Sequence, residues 1–408
     1  MFLNSNMSLI PVILGSDING LGLSRSFGQE KINSIVLDFK KNIAFFSKFT
    51  QGIKCPHPSL EEDSFIKFLS DFGRRLPKKG LLFASDDMWL ISICKYKSVL
   101  EPYFVFSMSD WNIIESCIDK FKLYKLALDN DVLCSKTFLL DKIADLTNIK
   151  EEIVYPSILK PTVTVGFADA LGIQRNTIVV NTKDELQIWE NRIKETQWAN
   201  SQLIIQEFIP GNTEDLVTCT SYSNKKSEIM AYSTGHKIRQ VPPDGGTIIS
   251  GRVTPIPEVV ELSKKIIKLT QFYGISNIEF KRDSRDGLYK FIEINARPGK
   301  WNSSVLASGI NLPYILYRDL SGDLNESNIS SADELVWLDS IADCFHSLFL
   351  YKRKGFDEFS LNVFQWLSSI KGKKIDAIFS LSDFKPGLFR LYHYLILVCK
   401  KFRRILYD

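Results

Sequence analysis

Two segments in the second half of the chain carry acidic and amide residues at strand spacing. They are Ile278-Glu279-Phe280 and, after an Asp286-Gly287 pair, Phe291-Ile292-Glu293-Ile294-Asn295-Ala296-Arg297. An Asp-Gly pair between alternating runs is a hairpin turn signal. Side chains alternate faces along a strand, so Glu293, Asn295 and Arg297 project to one side while Ile292, Ile294 and Ala296 face the core. Glu279, on the partner strand, can share the side of Glu293. Two carboxylates and a carboxamide offer only oxygen donors, the set that magnesium takes. A cation there would also relieve the repulsion between the carboxylates. Arg297 adds a fixed positive fork for a phosphate or carboxylate. Taken alone, the same pattern also describes an ordinary charged, solvent-facing strand.

Two lysines extend this chemistry. Lys160 ends the run Tyr155-Pro156-Ser157-Ile158-Leu159-Lys160-Pro161, placed to meet a phosphate, and Lys120 follows Asp119 at the start of a helix. The loop over residues 162–174 holds Gly166, Ala168, Ala170 and Gly172, small residues that suit a mobile cover over phosphates. No Gly-x4-Gly-Lys-Ser/Thr run occurs, and no Gly-x-Gly-x-x-Gly follows the first strand. That argues against a P-loop enzyme and against a nicotinamide oxidoreductase built on the first sheet. The seven cysteines and four histidines are scattered, without the paired spacing of a disulfide framework, a zinc site or a His-Glu-x-x-His helix.

The elements that must position these residues follow an α/β pattern. Short apolar runs at residues 10–15, 34–39, 81–84 and 103–106 alternate with helical stretches at 21–30 and 63–75, the mark of a doubly wound parallel sheet. Asp17, Asp38, Asp86 and Asp87 stand at the ends of the runs, where open α/β sheets bind ligands. As helix N-caps they would be equally ordinary. Further strands are expected at residues 155–161, 178–181, 203–208, 216–222, 228–232, 276–281 and 288–294, with helices at 183–199 and 259–273. Arg252 follows Gly245, Gly246 and Gly251, which reads either as a mobile substrate gate or as a surface loop.

Composition bounds the rest. The chain has 408 residues, 45% hydrophobic and 24% charged, enough for two or three soluble domains. Its 51 basic and 47 acidic residues give +4, too even a balance to argue for nucleic acid. The apolar run at residues 9–14 reads as a first strand, and no run of about 18 apolar residues occurs, so a cytoplasmic location is expected. A Ser/Asn/Asp-rich linker near residues 321–331 leads to aromatic-rich helices. From Lys385 the chain meets no acidic residue until Asp408, while Lys400, Lys401, Arg403 and Arg404 gather near the end. On a helix Leu388, Leu391, Leu395 and Val398 share a face, which either packs on the protein or lies on the inner face of an anionic membrane.

Read in order, Asp119-Lys120, Tyr155-Pro156-x3-Lys160, Ile205-Gln206-Glu207-Phe208-Ile209-Pro210-Gly211, Glu279 and Glu293-x-Asn295-x-Arg297 resemble the ATP-grasp carboxylate–amine ligases. Pro11-Val12-Ile13-Leu14-Gly15-Ser16-Asp17 and Gly274-Ile275-Ser276-Asn277 are most similar to the D-aspartate ligases of peptidoglycan synthesis and to ligases encoded with surface-polysaccharide genes. The resemblance implies a pre-ATP-grasp α/β domain over residues 1–110 and a two-lobed ATP-grasp module over 111–320. The lid would span about 137–208, and a helical C-terminal extension 321–408. It implies that Lys120 and Lys160 contact ATP phosphates, that Gln206, Glu207, Phe208 and Ile209 line the adenine slot, and that Glu214 meets the ribose. Glu279, Glu293 and Asn295 would hold magnesium, two ions with manganese as a substitute. Arg297, Lys237 and Arg239 would act on the reacting phosphate and the carboxylate. The cover loop departs from the family, with Thr162-Val163-Thr164-Val165-Gly166 where many members have adjacent glycines. The implied reaction joins a small-molecule, glycan or peptide carboxylate to an amine through an acylphosphate, in cell-envelope or surface-polysaccharide biosynthesis. The alternative is a non-catalytic, ATP-binding regulatory protein with the same fold.

Overall fold

Buried apolar runs alternating with helices build the first hundred residues. In the computed structural model β1 (Ile10–Leu14), β2 (Ser34–Asp38), β3 (Thr50–Lys54), β4 (Gly80–Ala84) and β5 (Phe104–Phe106) form a parallel sheet in the order β3-β2-β1-β4-β5. β1, β2 and β4 are buried along their whole length, which is why they read as continuous apolar runs. β3 escapes a reading by pattern, since its Gln51, Gly52 and Lys54 are exposed at the sheet edge. The structure describes residues 8–162, 166–173, 177–243, 245–324, 329–330, 333–353 and 356–407, with side chains up to residue 396. Val163, Thr164, Val165 and Gln174 of the expected cover loop, and residues 325–328 and 331 of the linker, lie outside these.

Further along come β6 (Thr137–Leu140), β7 (Ser157–Pro161), β8 (Ile178–Val180) and β9 (Leu203–Glu207). They are followed by β10 (Leu216–Ser223), β11 (Ile229–Val241), β12 (Thr247–Val253), β13 (Gly274–Arg282), β14 (Tyr289–Asn295), β15 (Ile329–Ser330), β16 (Leu335–Leu338) and β17 (Lys374–Asp376). The chain folds as two compact units, one of Met1–Ile114, Thr218–Asn277 and Asn295–Asp408, the other of Glu115–Val217 and Ile278–Ile294.

The second unit contains an antiparallel sheet in the order β6-β9-β7-β8, closed over a core of Leu159, Phe167, Leu186, Ile193, Leu203 and Ile205. It also holds the hairpin formed by the later part of β13 and β14, whose turn is fixed by Asp283 N–H donating to the Leu288 carbonyl at 2.9 Å. In the first unit the start of β13 neighbours β10, then β11, β12, β16 and β17, with β15 beside β11.

Two sequence expectations change here. The strand expected at 228–232 runs from Ile229 to Val241, and residues 247–253 are an interior strand paired on one side with β11 and on the other with β16. Arg252 therefore sits on a strand and not on a glycine gate. Gly251 is small for a packing reason, because a Cβ there would meet the Trp301 ring at 2.4 Å. The C-terminal extension contains the expected helices, among them Ser340–Phe345, Val363–Ser369 and Lys385–Tyr407, and also lends β16 and β17 to the sheet.

Candidate active site

In the second unit the helix Lys120–Asp129 starts at Asp119, whose side chain accepts from the N–H groups of Phe121 and Lys122. Residues four apart share a helix face, so Lys120 and Tyr124 point together. Lys120 Nζ lies 4.0 Å from Glu293 Oε2, and Tyr124 donates its hydroxyl to the Ile292 carbonyl at 2.6 Å. The helix thus sits against β14 through both residues.

Lys160 comes from β7, where burial alternates, and its Nζ donates to Gln206 Oε1 at 3.1 Å. Gln206 lies on the neighbouring β9, opposite Ile158, so Lys160 reaches it along the diagonal of an antiparallel pair. The amide of Gln206 donates in turn to Thr137 Oγ1 at 2.8 Å. The Lys160 ammonium also stands 5.0 Å from the centre of the Tyr124 ring. Burial pushes the Lys160 pKa down from 10.5 to about 7, the charge of Lys120 pushes the same way, and Glu293 opposes them. Among the described residues no carboxylate lies within ion-pair distance of Lys160. Tyr124 was not singled out from sequence, although its i+4 spacing from Lys120 was the available signal. Its phenol is pushed up, first by burial.

The expected adenine segment is placed differently along its length. Gln206 and Ile209 are buried, whereas Glu207 and Phe208 are half-buried. Glu207 accepts from the Arg285 guanidinium, and the Phe208 N–H donates to the Pro156 carbonyl at 2.9 Å. Lys281 Nζ stands 4.8 Å from the Phe208 ring centre, and burial lowers its pKa. Glu214 is exposed, in the short turn Thr213–Asp215. Arg285 and Lys290 converge on the fully buried Asp283, whose carboxyl is held well below its usual range by these partners, the bond from Arg285 first.

Glu279 on β13 and Glu293 on β14 are half-buried on neighbouring strands, and Asn295 is half-buried at the end of β14. Strict alternation is interrupted on β14. Lys290 and Phe291 are both buried, then Ile292 and Glu293 are both partly exposed. Ile292 is therefore not a core residue, while Ile294 and Ala296 are.

In the first unit Arg297 makes a two-pronged bond to Asp87, Nε to Oδ1 at 2.8 Å and Nη2 to Oδ2 at 3.0 Å. Burial works against its charge, but Asp87, Asp86 and Asp17 outweigh burial and hold its pKa up. Asp17 and Asp86 both act as N-caps, Asp17 for Ile18–Gln29 and Asp86 for Asp87–Lys95. Both carboxyls are raised by burial in spite of those backbone bonds and the Arg297 charge. Lys237 is buried, with Nζ 3.4 Å from Gln240 Oε1. Arg239 donates to Asp343 through Nε at 2.6 Å and Nη2 at 2.7 Å, and to Ser369 through Nη1 at 2.7 Å. Ser250 and Trp366 complete the shell of Asp343, at 2.8 and 2.7 Å. The structure thus brings Lys120, Lys160, Gln206 and Glu293 together in one unit and holds Arg297, Lys237 and Arg239 in the other.

No protein-family profile matches the chain. The D-aspartate ligase of Enterococcus faecium (strain Aus0004) is 25% identical over 331 residues, 77% of each chain. Among solved structures, a biotin carboxylase–ATP complex from Campylobacter jejuni matches with a TM-score of 0.64 at 15% identity, covering 82% of this chain and 76% of that one. The L-amino acid ligase of Bacillus licheniformis matches with a TM-score of 0.59 at 14% identity, covering 81% and 80%. The chain thus shares the fold of these solved structures, and in sequence it is similar to the D-aspartate ligase over 77% of its length.

Proposed function

We propose that the chain is an ATP-dependent carboxylate–amine ligase of cell-envelope or surface-polysaccharide biosynthesis, with residues 111–320 as its ATP-grasp module and 137–208 as the lid. The observation that carries this reading is the pair Lys120 and Lys160. Two lysines are gathered in one unit, and desolvation pushes the pKa of the half-buried Lys160 down to about 7. A polyphosphate supplies negative charge beyond the single Glu293 carboxylate that faces the pair. The relationship to D-aspartate ligase supports the choice of substrates, a carboxylate and an amine.

In this reading Gln206, Glu207, Phe208 and Ile209 flank the adenine, Glu214 meets the ribose, and Lys120 and Lys160 hold the phosphates. Glu279, Glu293 and Asn295 fit a magnesium ion in donor chemistry, being oxygen ligands only, with the two carboxylates on neighbouring strands and open to solvent in part. Bound there, magnesium would neutralise charge on the phosphates. The γ-phosphoryl group passes to the substrate carboxylate, giving an acylphosphate and ADP. The amine then attacks the acyl carbon, the amide bond forms, and phosphate leaves with the bonding electrons of the broken C–O bond. Phosphoryl transfer asks for positioning and charge more than for a covalent residue, which fits a chain without a nucleophile–base pair. We assign Arg297 and Lys237 to the reacting phosphate and carboxylate. Arg239, with its guanidinium taken up by Asp343 and Ser369, has a positioning role.

The test is phosphate release across a panel of amino acids, uronic-acid sugars and peptidoglycan precursors. ADP should form only with ATP, magnesium and both substrates, and Glu293→Gln should lower turnover at least about a hundredfold while the fold persists. A chain that binds ATP but forms no ADP with any pair would instead be a regulator.

A further inference from the structure

The C-terminal helix Lys385–Tyr407 has two faces in different surroundings. One is fastened to the first unit. Phe389 stacks on Phe46 with ring centres 4.2 Å apart, and Gly387 is buried so closely that a Cβ would meet the Phe379 ring at 2.6 Å. Arg390 reaches Asp339 at 3.9 Å, and Asp339 accepts from Lys300 at 2.9 Å. The other face is open. Phe384, just before the helix, and then Leu388, Leu391 and Leu395 recur at i, i+4, i+7 and i+11, a single helical stripe with Tyr392 beside it. They are 57, 56, 42, 63 and 63% exposed, in the order Phe384, Leu388, Leu391, Leu395, Tyr392. Single exposed leucines are ordinary on a protein surface, but an aligned row of five large apolar side chains marks a surface made to be covered.

Charge decides what covers it. Between Lys385 and Tyr407 the sequence has six basic residues, Lys385, Arg390, Lys400, Lys401, Arg403 and Arg404, and no acidic one. A second copy of the chain seated on this stripe would bring two such basic helices together. An anionic lipid surface instead suits both features, taking the apolar stripe into the headgroup–acyl boundary and the basic residues to its phosphates. No described helix is long and apolar enough to cross a membrane, so the contact is one of lying in the surface plane. We propose that the helix Lys385–Tyr407 docks the protein on an anionic membrane surface through Phe384, Leu388, Leu391, Tyr392 and Leu395, while its opposite face stays packed on the first unit. The sequence left packing and membrane contact as alternatives; here one helix serves both with different faces. The proposal stands apart from the ligase reading and survives its failure.

The test is co-sedimentation of the full chain with phosphatidylcholine vesicles that contain phosphatidylglycerol, and with phosphatidylcholine vesicles alone. Binding is expected to the first and not the second, and is released by raised salt. Leu391→Glu with Leu395→Glu should lower partitioning by about tenfold or more, with the melting curve unchanged because both side chains are exposed. Replacing Lys400, Lys401, Arg403 and Arg404 by Gln should weaken binding and flatten its salt dependence. The proposal is overturned if the folded chain ignores anionic vesicles, or if the double glutamate variant binds them equally well. A doubling of mass in analytical ultracentrifugation that the same variant abolishes would give the stripe to a second copy instead.

Discussion

Lys160 in the second unit, half-buried, and Arg239 in the first, buried, are both cations on strands, and their surroundings are opposite. Arg239 meets a carboxylate head-on, with Asp343 taking two of its donors and Ser369 a third. Lys160 meets an amide oxygen and an aromatic face, and desolvation first, then the like charge of Lys120, lowers its pKa to about 7 against the pull of Glu293. A buried charge with its counter-ion built in completes a structure. A buried charge beside another of the same sign stores an unfavourable interaction that an anionic ligand removes. This difference is the ground on which we propose Lys160 as a ligand-binding residue and Arg239 as a positioning one.

The largest effect should come from breaking the completed pair. Asp343→Ala leaves the Arg239 guanidinium buried without its counter-ion and should cost about 3–5 kcal/mol in urea unfolding. An unchanged midpoint would show that the pair is not what holds β11 to the extension. Next, Lys160→Met should act in the opposite sense. Stability should hold or rise, because a partly desolvated charge is replaced by an apolar chain, while ADP affinity falls roughly ten- to hundredfold, about 1.5–3 kcal/mol. Loss of stability as large as for Asp343→Ala would erase the contrast.

The effect that is smallest per pH unit is a pH dependence with a definite sign. An unfolded lysine keeps its proton up to about 10.5, whereas folded Lys160 releases it near 7, so the unfolded state binds more protons between these values. The stability of the unliganded protein should therefore gain a contribution as pH rises through that window, one absent from Lys160→Met. Nucleotide affinity should move the other way and weaken above pH 7, by at most about tenfold per pH unit, since phosphate binding calls for the ammonium form.

Much of the fold is legible in the sequence. β1, β2 and β4 announce themselves because burial on both faces requires uninterrupted apolar residues. Lys120, Lys160, Gln206 and Glu293 were all singled out, and they do meet in one unit. What sequence hid was long-range or ambiguous. The partner of Arg239 arrives 104 residues later, and no local pattern announces such a pairing. Gly251 read as flexibility, whereas the close approach of Trp301 is its cause. Tyr124 was not singled out, yet its hydroxyl bonds to β14 and its ring faces Lys160. β3 lay at an exposed edge, where polar residues blur the period.

The most direct measurement is the proton count on nucleotide binding. Calorimetric titration of ADP at about pH 8, in two buffers of different ionisation enthalpy, reads how many protons the protein takes up. If Lys160 is the phosphate cation described here, binding should draw in up to about one proton in the parent chain and none attributable to this site in Lys160→Met. Equal heats in the two buffers, or the same uptake in both proteins, would contradict the account.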